Sequence, residues 1–191
     1  MSCDCHIHMI LDSVYYRAAI DHQRIEPDEA LIRERLRAYA AQGVTFLRDG
    51  GDAWGVCMAA ARLAPEYDID YRAPAFPIYC RGHYGSFIGR GFEDLRQYRA
   101  LVAEAKMLGA DFIKIMISGL MDFNHYGVIT SAPLPDETIA EMIHIAHGEG
   151  FSVMAHANGA ATVRAAAEAG VDSVEHGAYL DAAALRAMAA H

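Results

Sequence analysis

Hydrophobic and polar positions along this chain alternate between two periods. Short apolar runs rich in β-branched and aromatic residues recur at Cys3–His8, Val44–Asp49, Arg72–Cys80, Asp111–Ser118, Phe151–His156 and Asp172–His176. Each has the length of a buried strand. Helix-period stretches lie between them. The first opens at Pro27-Asp28-Glu29-Ala30, with proline and acidic residues in its first turn, and Gly43 follows its end; this is the expected start and stop chemistry of a helix. The others run roughly over 52–63, 92–108, 136–149, 160–169 and 181–190. Helix ends meet the next strand through Gln42-Gly43-Val44, Leu108-Gly109-Ala110, Glu149-Gly150-Phe151 and Ala169-Gly170-Val171, each a glycine C-cap followed at once by a strand. The pattern predicts a βα unit repeated about six times, with tight αβ turns and long Gly-, Tyr- and His-rich loops after the third and fourth strands.

Such repetition fits an open doubly wound sheet or a (β/α)8 barrel. The open sheet carries a glycine-rich phosphate loop after its first strand. Here the first strand continues as His6-Ile7-His8-Met9-Ile10, without glycine, which argues against dinucleotide binding. Histidines mark the strand ends instead. Alternate residues of a strand share a face, so His6 and His8 point the same way and can grip one ion; hydrogen bonding alone is the plainer role for such a pair. Cys3 and Cys5 fall on the opposite face, away from a mixed Cys/His site. In Phe112-Ile113-Lys114-Ile115-Met116-Ile117, the three isoleucines share one face and pack beneath helices. Lys114 shares the other face, where an ammonium needs neutralisation, a partner or modification; its alternative is a buried stem reaching solvent. His156 and His176 each close an apolar strand just before a helix, the position of a barrel's catalytic rim. Neutral imidazoles suit zinc and similar metals.

Composition bounds the partners. The 191 residues are 53% hydrophobic and 21% charged, as in an ordinary globular protein, and 16 Lys and Arg against 25 Asp and Glu give a net charge of −9. This acidic balance argues against nucleic acid and anionic membranes. Cys3, Cys5, Cys57 and Cys80 show no secreted-framework spacing, so reduced thiols and a cytoplasmic location are expected. No apolar run is long enough to span a bilayer.

The set His6, His8, Lys114, His156 and His176 resembles the amidohydrolase superfamily of metal-dependent hydrolases, whose pattern is His-x-His on strand 1, a carboxylated Lys on strand 4, single His residues on strands 5 and 6, and an Asp on strand 8. The stretches 109–116, His156-Ala157-Asn158-Gly159 and Ser173-Val174-Glu175-His176-Gly177 look like the branch of imidazolonepropionase-like enzymes and Xaa-Pro or Xaa-Arg dipeptidases. The resemblance implies a TIM barrel of which residues 1–191 hold about six of eight units, as a single partial domain. It implies one or two divalent ions, zinc by donor type, in a binuclear centre bridged by carboxylated Lys114. It further implies amide (C–N) hydrolysis of an N-acyl amino acid, dipeptide or cyclic amide by metal-activated hydroxide, with a proton-shuttling Asp on a strand 8 that this sequence lacks. The expectation is a piece of a longer protein; two chains completing one barrel is the competing explanation. Arg81, His83 and Tyr84 after the third strand, and His125 and Tyr126 after the fourth, are candidates for substrate binding, while His144 and His147 suit a solvated helix face. Asn158 stands where relatives of this branch often carry Tyr. A non-catalytic metal-binding or assembly module, or an inactive fragment, is the alternative function, and Lys114 disfavours a deaminase. The expected partners are a small amide or peptide substrate and further copies in a homo-oligomer.

Overall fold

The computed structural model describes residues 2–12 and 14–191. Its strands are β1 (Ser2–Ile7), β2 (Val44–Asp49), β3 (Asp70–Arg72), β4 (Pro77–Cys80), β5 (Arg90–Phe92), β6 (Ile113–Met116), β7 (Val153–Ala157) and β8 (Ser173–His176). Its helices are α1 (Tyr16–Gln23), α2 (Glu29–Ala41), α3 (Val56–Leu63), α4 (Leu95–Met107), α5 (Asp136–Gly148), α6 (Ala160–Glu168) and α7 (Ala182–Ala190), with a 3-10 turn at Ala64–Tyr67 after α3. All the strand pairings between these elements are parallel, in the orders β1-β2-β3 and β5-β4-β6-β7-β8.

The expected third strand, Arg72–Cys80, is in fact two. Phe76 N–H bonds back to Pro74 C=O at 2.8 Å around Ala75, whose φ is +63°, a three-residue turn. Pro74 and Pro77 have no N–H to give a ladder, so the run breaks between them. β3 pairs with β2 while β4 turns away to β6. Two further elements were not visible in the pattern, α1 and the three-residue β5. The predicted helix at 52–63 begins only at Val56, because the buried Asp52 carboxylate accepts the N–H groups of Trp54, Val56 and Cys57 and acts as a cap ahead of it.

The outward face of β6 behaves as its alternation requires. Ile113, Ile115 and Ile117 are buried with Tyr98 and Val102 of α4 and Ile139, Met142 and Ile143 of α5. A second cluster gathers Ile7, Leu36, Leu47, Val56, Leu63 and Tyr71 around β1 to β3. The inward residues bring the ends of the arc together. The His6 ring lies 4.9 Å from that of His176, and Arg48 of β2 reaches Glu175 of β8 at 2.8 Å. The parallel βα array therefore curls as part of a barrel. Among the described residues no helix is long and apolar enough to cross a membrane.

The αβ turns are glycine C-caps. At Gly150 (φ +88°), Phe151 N–H returns to Ala146 C=O at 3.0 Å and Gly150 N–H to His147 C=O at 2.9 Å, a pattern that needs a left-handed residue. A Cβ at Gly150 meets nothing within 4 Å, so Gly150→Ala isolates backbone strain from any clash. Urea denaturation of this variant should show a loss of about 1 kcal/mol with the m-value unchanged.

Candidate metal centre

The five ligand candidates come from four strands. β1 supplies His6 and His8 at and just beyond its end, β6 supplies Lys114, β7 His156 and β8 His176. All five line one cavity of about 380 Å3, closed on its other sides by Leu11, Tyr84, Phe87, Met116 and Leu120. Ring centroids are 5.4 Å apart for His6 and His8, 4.9 Å for His6 and His176, and 4.7 Å for His156 and His176.

Each side chain is aimed by a local device. Asp49, at the end of β2, is fully buried and accepts Met9 N–H at 2.9 Å, Gly51 N–H at 2.6 Å and the Tyr71 hydroxyl. It thereby ties the turn after β1 to the turn after β2. Burial pushes the Asp49 carboxyl up to about 7 despite those bonds. His8 then shares a 2.9 Å hydrogen bond between Nδ1 and Gly51 O. A neutral imidazole donating there leaves Nε2 as the free donor nitrogen, the arrangement usual for a metal-binding histidine. Gly50 makes room for it, since a Cβ there would stand 2.6 Å from His8 Nε2. His156 is fixed by Nε2 at 3.1 Å from Gly119 O. Buried Asn158 clamps three rim loops, bonding Gly119 O through its amide, Ala178 N–H through its carbonyl and Ser118 Oγ through its backbone N–H. His176 departs from the strand's alternation. Its neighbour Glu175 pairs in register with His156, so a regular strand would send the next side chain outward. A φ of +70° at His176 turns it back toward the cavity, backbone strain of the kind found at functional sites.

The electrostatics suit cation binding by neutral donors. Burial and the charge of Lys114 pull His8 down to about 3, and burial and His176 bring His156 to about 3. Burial, with His6 and Lys114, lowers His176 to about 4. All three are neutral imidazoles at pH 7. Lys114 has zero exposure, and its Nζ has no hydrogen-bond partner. Burial pulls it down to about 7, opposed by Glu175 and assisted by Arg48. Among the described residues no three His, Cys, Asp or Glu side chains close around a common point. The imidazoles converge without closing, and the donor chemistry with the orphaned amine fits a divalent ion whose set includes a modified Lys114.

Most other sequence candidates lie elsewhere. Arg81 is exposed and pairs loosely with Glu93 at 3.7 Å. His83 lies 3.2 Å from Ala132 O through Nδ1. Tyr126 is 94% exposed, its ring 5.1 Å from that of Tyr179. None of the three lines the histidine cavity. His144 and His147 are exposed on α5, His147 bonding Asp172 at 2.9 Å. Asp4 borders a neighbouring cavity of about 490 Å3 with Arg35 and Tyr39, which touches His6 and His8 from the α2 side. Tyr84, also a candidate from the loop after the third predicted strand, does line the cavity, its ring 4.8 Å from that of His156; Glu175 was not a candidate. The alternation expected to send His176 inward would turn Glu175 outward, so no local signal marked it.

The sequence model of the amidohydrolase family matches residues 4–191. The chain belongs to the amidohydrolase family. No curated protein matches it, but solved structures do. A Xaa-Pro dipeptidase with bound methionine in the active site superposes with a TM-score of 0.76 at 21% identity, over 98% of this chain and 50% of its own. Ochratoxinase of A. niger gives 0.75 at 22% identity, over 98% and 49%. Phenylurea hydrolase B gives 0.69 at 18%, over 91% and 46%. This amidohydrolase chain thus has the barrel fold of these enzymes and spans about half their length.

Replacing Lys114 by Met removes the orphaned amine and keeps its stem. The folded pKa near 7 lies below the unfolded 10.5, so between those values the unfolded chain binds more protons and wild-type stability rises with pH. Lys114→Met should therefore stabilise the chelator-treated chain most at or below pH 7, by on the order of 1–3 kcal/mol. The gain should shrink from pH 7 to 10.5. Denaturation at several pH values checks both sign and window.

Proposed function

We propose that this chain carries the metal-binding part of a hydrolase that cleaves an amide C–N bond in an N-acyl amino acid, dipeptide or cyclic amide. The observation that carries the reading is the partnerless Lys114 amine, buried in one cavity with four histidines. His6, His8, His156 and His176 would hold one or two divalent ions, zinc by donor type, with Lys114 carboxylated to bridge them. Carboxylation exchanges a desolvated cation for an anion that metals neutralise. A bound ion supplies an acidified water and polarises the scissile carbonyl.

The chain's own residues do the rest. Gly51 O and Gly119 O orient the His8 and His156 rings. Leu11, Tyr84, Phe87 and Leu120 supply the apolar part of the cavity wall. No carboxylate lines the cavity among the described residues; proton delivery to the leaving amine is assigned to the aspartate that the family carries on its eighth barrel strand. The free thiols Cys3, Cys5, Cys57 and Cys80 support a reducing, cytoplasmic setting. The lack of a lining carboxylate among the described residues favours the second reading, a non-catalytic metal-binding module on the same barrel.

Metal analysis of the purified chain and of the longer protein expected from the sequence, with assays of both on dipeptides, N-acyl amino acids and cyclic amides, separates the two; hydrolysis is expected of the longer protein. One or two ions per chain are expected, with hydrolysis falling more than about 100-fold in His8→Ala and Lys114→Ala, beyond the cost of losing an outer partner. Metal without hydrolysis of any amide would leave the module reading; neither metal nor hydrolysis would sink both.

A further inference from the structure

His6 and His8 are held by different means. His8 rests on a backbone carbonyl and a glycine wall. Among the described residues His6 has no backbone partner for its ring; Nδ1 lies 3.1 Å from Glu175 Oε2, across the interior on β8. Glu175 is only 7% exposed and lies outside the lining of the histidine cavity. Its other oxygen, Oε1, accepts Arg48 Nη2 at 2.8 Å and the Ser173 hydroxyl. Arg48 also donates to Ser173 Oγ at 3.0 Å and, through Nε, to Cys5 O at 2.8 Å. Cys5 immediately precedes His6, so the chain of contacts closes on itself, from the backbone before His6 through Arg48 and Glu175 to the His6 ring.

We propose that Glu175 is the positioning residue of His6, its carboxylate accepting the Nδ1 proton so that Nε2 is left as the free donor nitrogen. Arg48 and Ser173 occupy Oε1, which leaves Oε2 facing His6 as an acceptor. With both oxygens committed, Glu175 acts on the metal centre through His6. The assignment rests on the proposed reading of the histidines as metal ligands, and it explains how a ring without a backbone anchor is held in one tautomer. Carboxylate-held histidines of this kind raise ligand basicity and fix ring orientation.

The charge on Arg48 decides what Glu175→Gln would do. The amide oxygen stays on Arg48 and Ser173, so the amide NH2 turns toward His6 Nδ1. Nδ1 must then accept, and the proton moves to Nε2, removing the donor nitrogen.

Long-range 1H–15N correlation spectra of the histidine-labelled full chain read the tautomers directly. In the chelator-treated wild type, His6 and His8 should both be Nδ1-protonated. In Glu175→Gln, His6 should switch to Nε2–H while His8, held by Gly51, is unchanged. Zinc affinity by competition titration should fall about 10–100-fold. An Nε2-protonated His6 in the wild type overturns the proposal, and that measurement stands even if the variant does not fold. So does a folded variant that keeps Nδ1–H and binds zinc within about twofold of wild type. The tautomers need no turnover: an Nδ1-protonated His6 here, with no amide hydrolysis by the longer protein, overturns the hydrolase reading and leaves this one standing.

Discussion

A lysine amine sealed inside the barrel without a partner sets the terms for everything around it. Isolated charges in a protein interior are costly enough that the group changes its protonation state, finds a partner or is modified. Lys114 has no exposure and no hydrogen bond at Nζ. Its neighbours show the consequence. Its charge helps to keep His8, His156 and His176 neutral. The one carboxylate near enough to help, Glu175, is already bonded to Arg48, Ser173 and His6. Burial pushes the Glu175 carboxyl up, yet the bonds from His6 and Ser173 and the charge of Lys114 outweigh it and hold it near 2. Glu175 thus stays ionised while spending its lone pairs elsewhere.

The strand ends carry the devices that turn this electrostatic arrangement into a geometry. Asp49 ties Met9, Gly51 and Tyr71 together, and Gly50 leaves space that a Cβ would take from His8. Asn158 joins the loops after β6, β7 and β8. His176 accepts a left-handed backbone to bring its ring inward. Each feature is locally unfavourable or conformationally narrow, and each lies on the rim while the outer β-α layer packs by ordinary alternation. This division is expected where a scaffold and a site share one chain.

What the sequence disclosed divides along the same line. The βα repeat, the glycine caps and the outward row Ile113, Ile115 and Ile117 were legible because periodicity and capping are local. The convergence of His6, His8, Lys114, His156 and His176 in one cavity followed from placing strand ends on a common rim. The break at Pro74–Pro77 was less legible, since an apolar run containing prolines reads as one strand until its two ladders are known to diverge. α1 was missed because only Ala19, Ile20 and Gln23 of it are buried, too narrow a stripe to stand out. Glu175 was invisible for a deeper reason: its partners are 127 and 169 residues away, at Arg48 and His6, and no local pattern encodes them. Of the loop candidates, Arg81 and Tyr126 turn to solvent, while Tyr84 faces the cavity together with Phe87.

The site also joins two sheets whose apolar clusters meet at Met58 and Met116. His6 and His8 belong with the β1-β2-β3 sheet and its own apolar cluster; Lys114, His156 and His176 belong with β5-β4-β6-β7-β8 and the other cluster. The inner contacts between β1-β2 and β8 are polar: Arg48 to Glu175 and Ser173, and His6 to Glu175. Polar pairs of this kind specify alignment more than they add stability, because desolvation offsets most of their attraction. Under the proposed reading, ions held by histidines from both sheets would bind only when the sheets are aligned. By linkage, such binding stabilises the aligned state in proportion to its affinity. The Arg48–Glu175 pair then has two consequences from one geometry: it sets the relative position of the sheets, and it sets the orientation of His6, the ligand that depends most on that position.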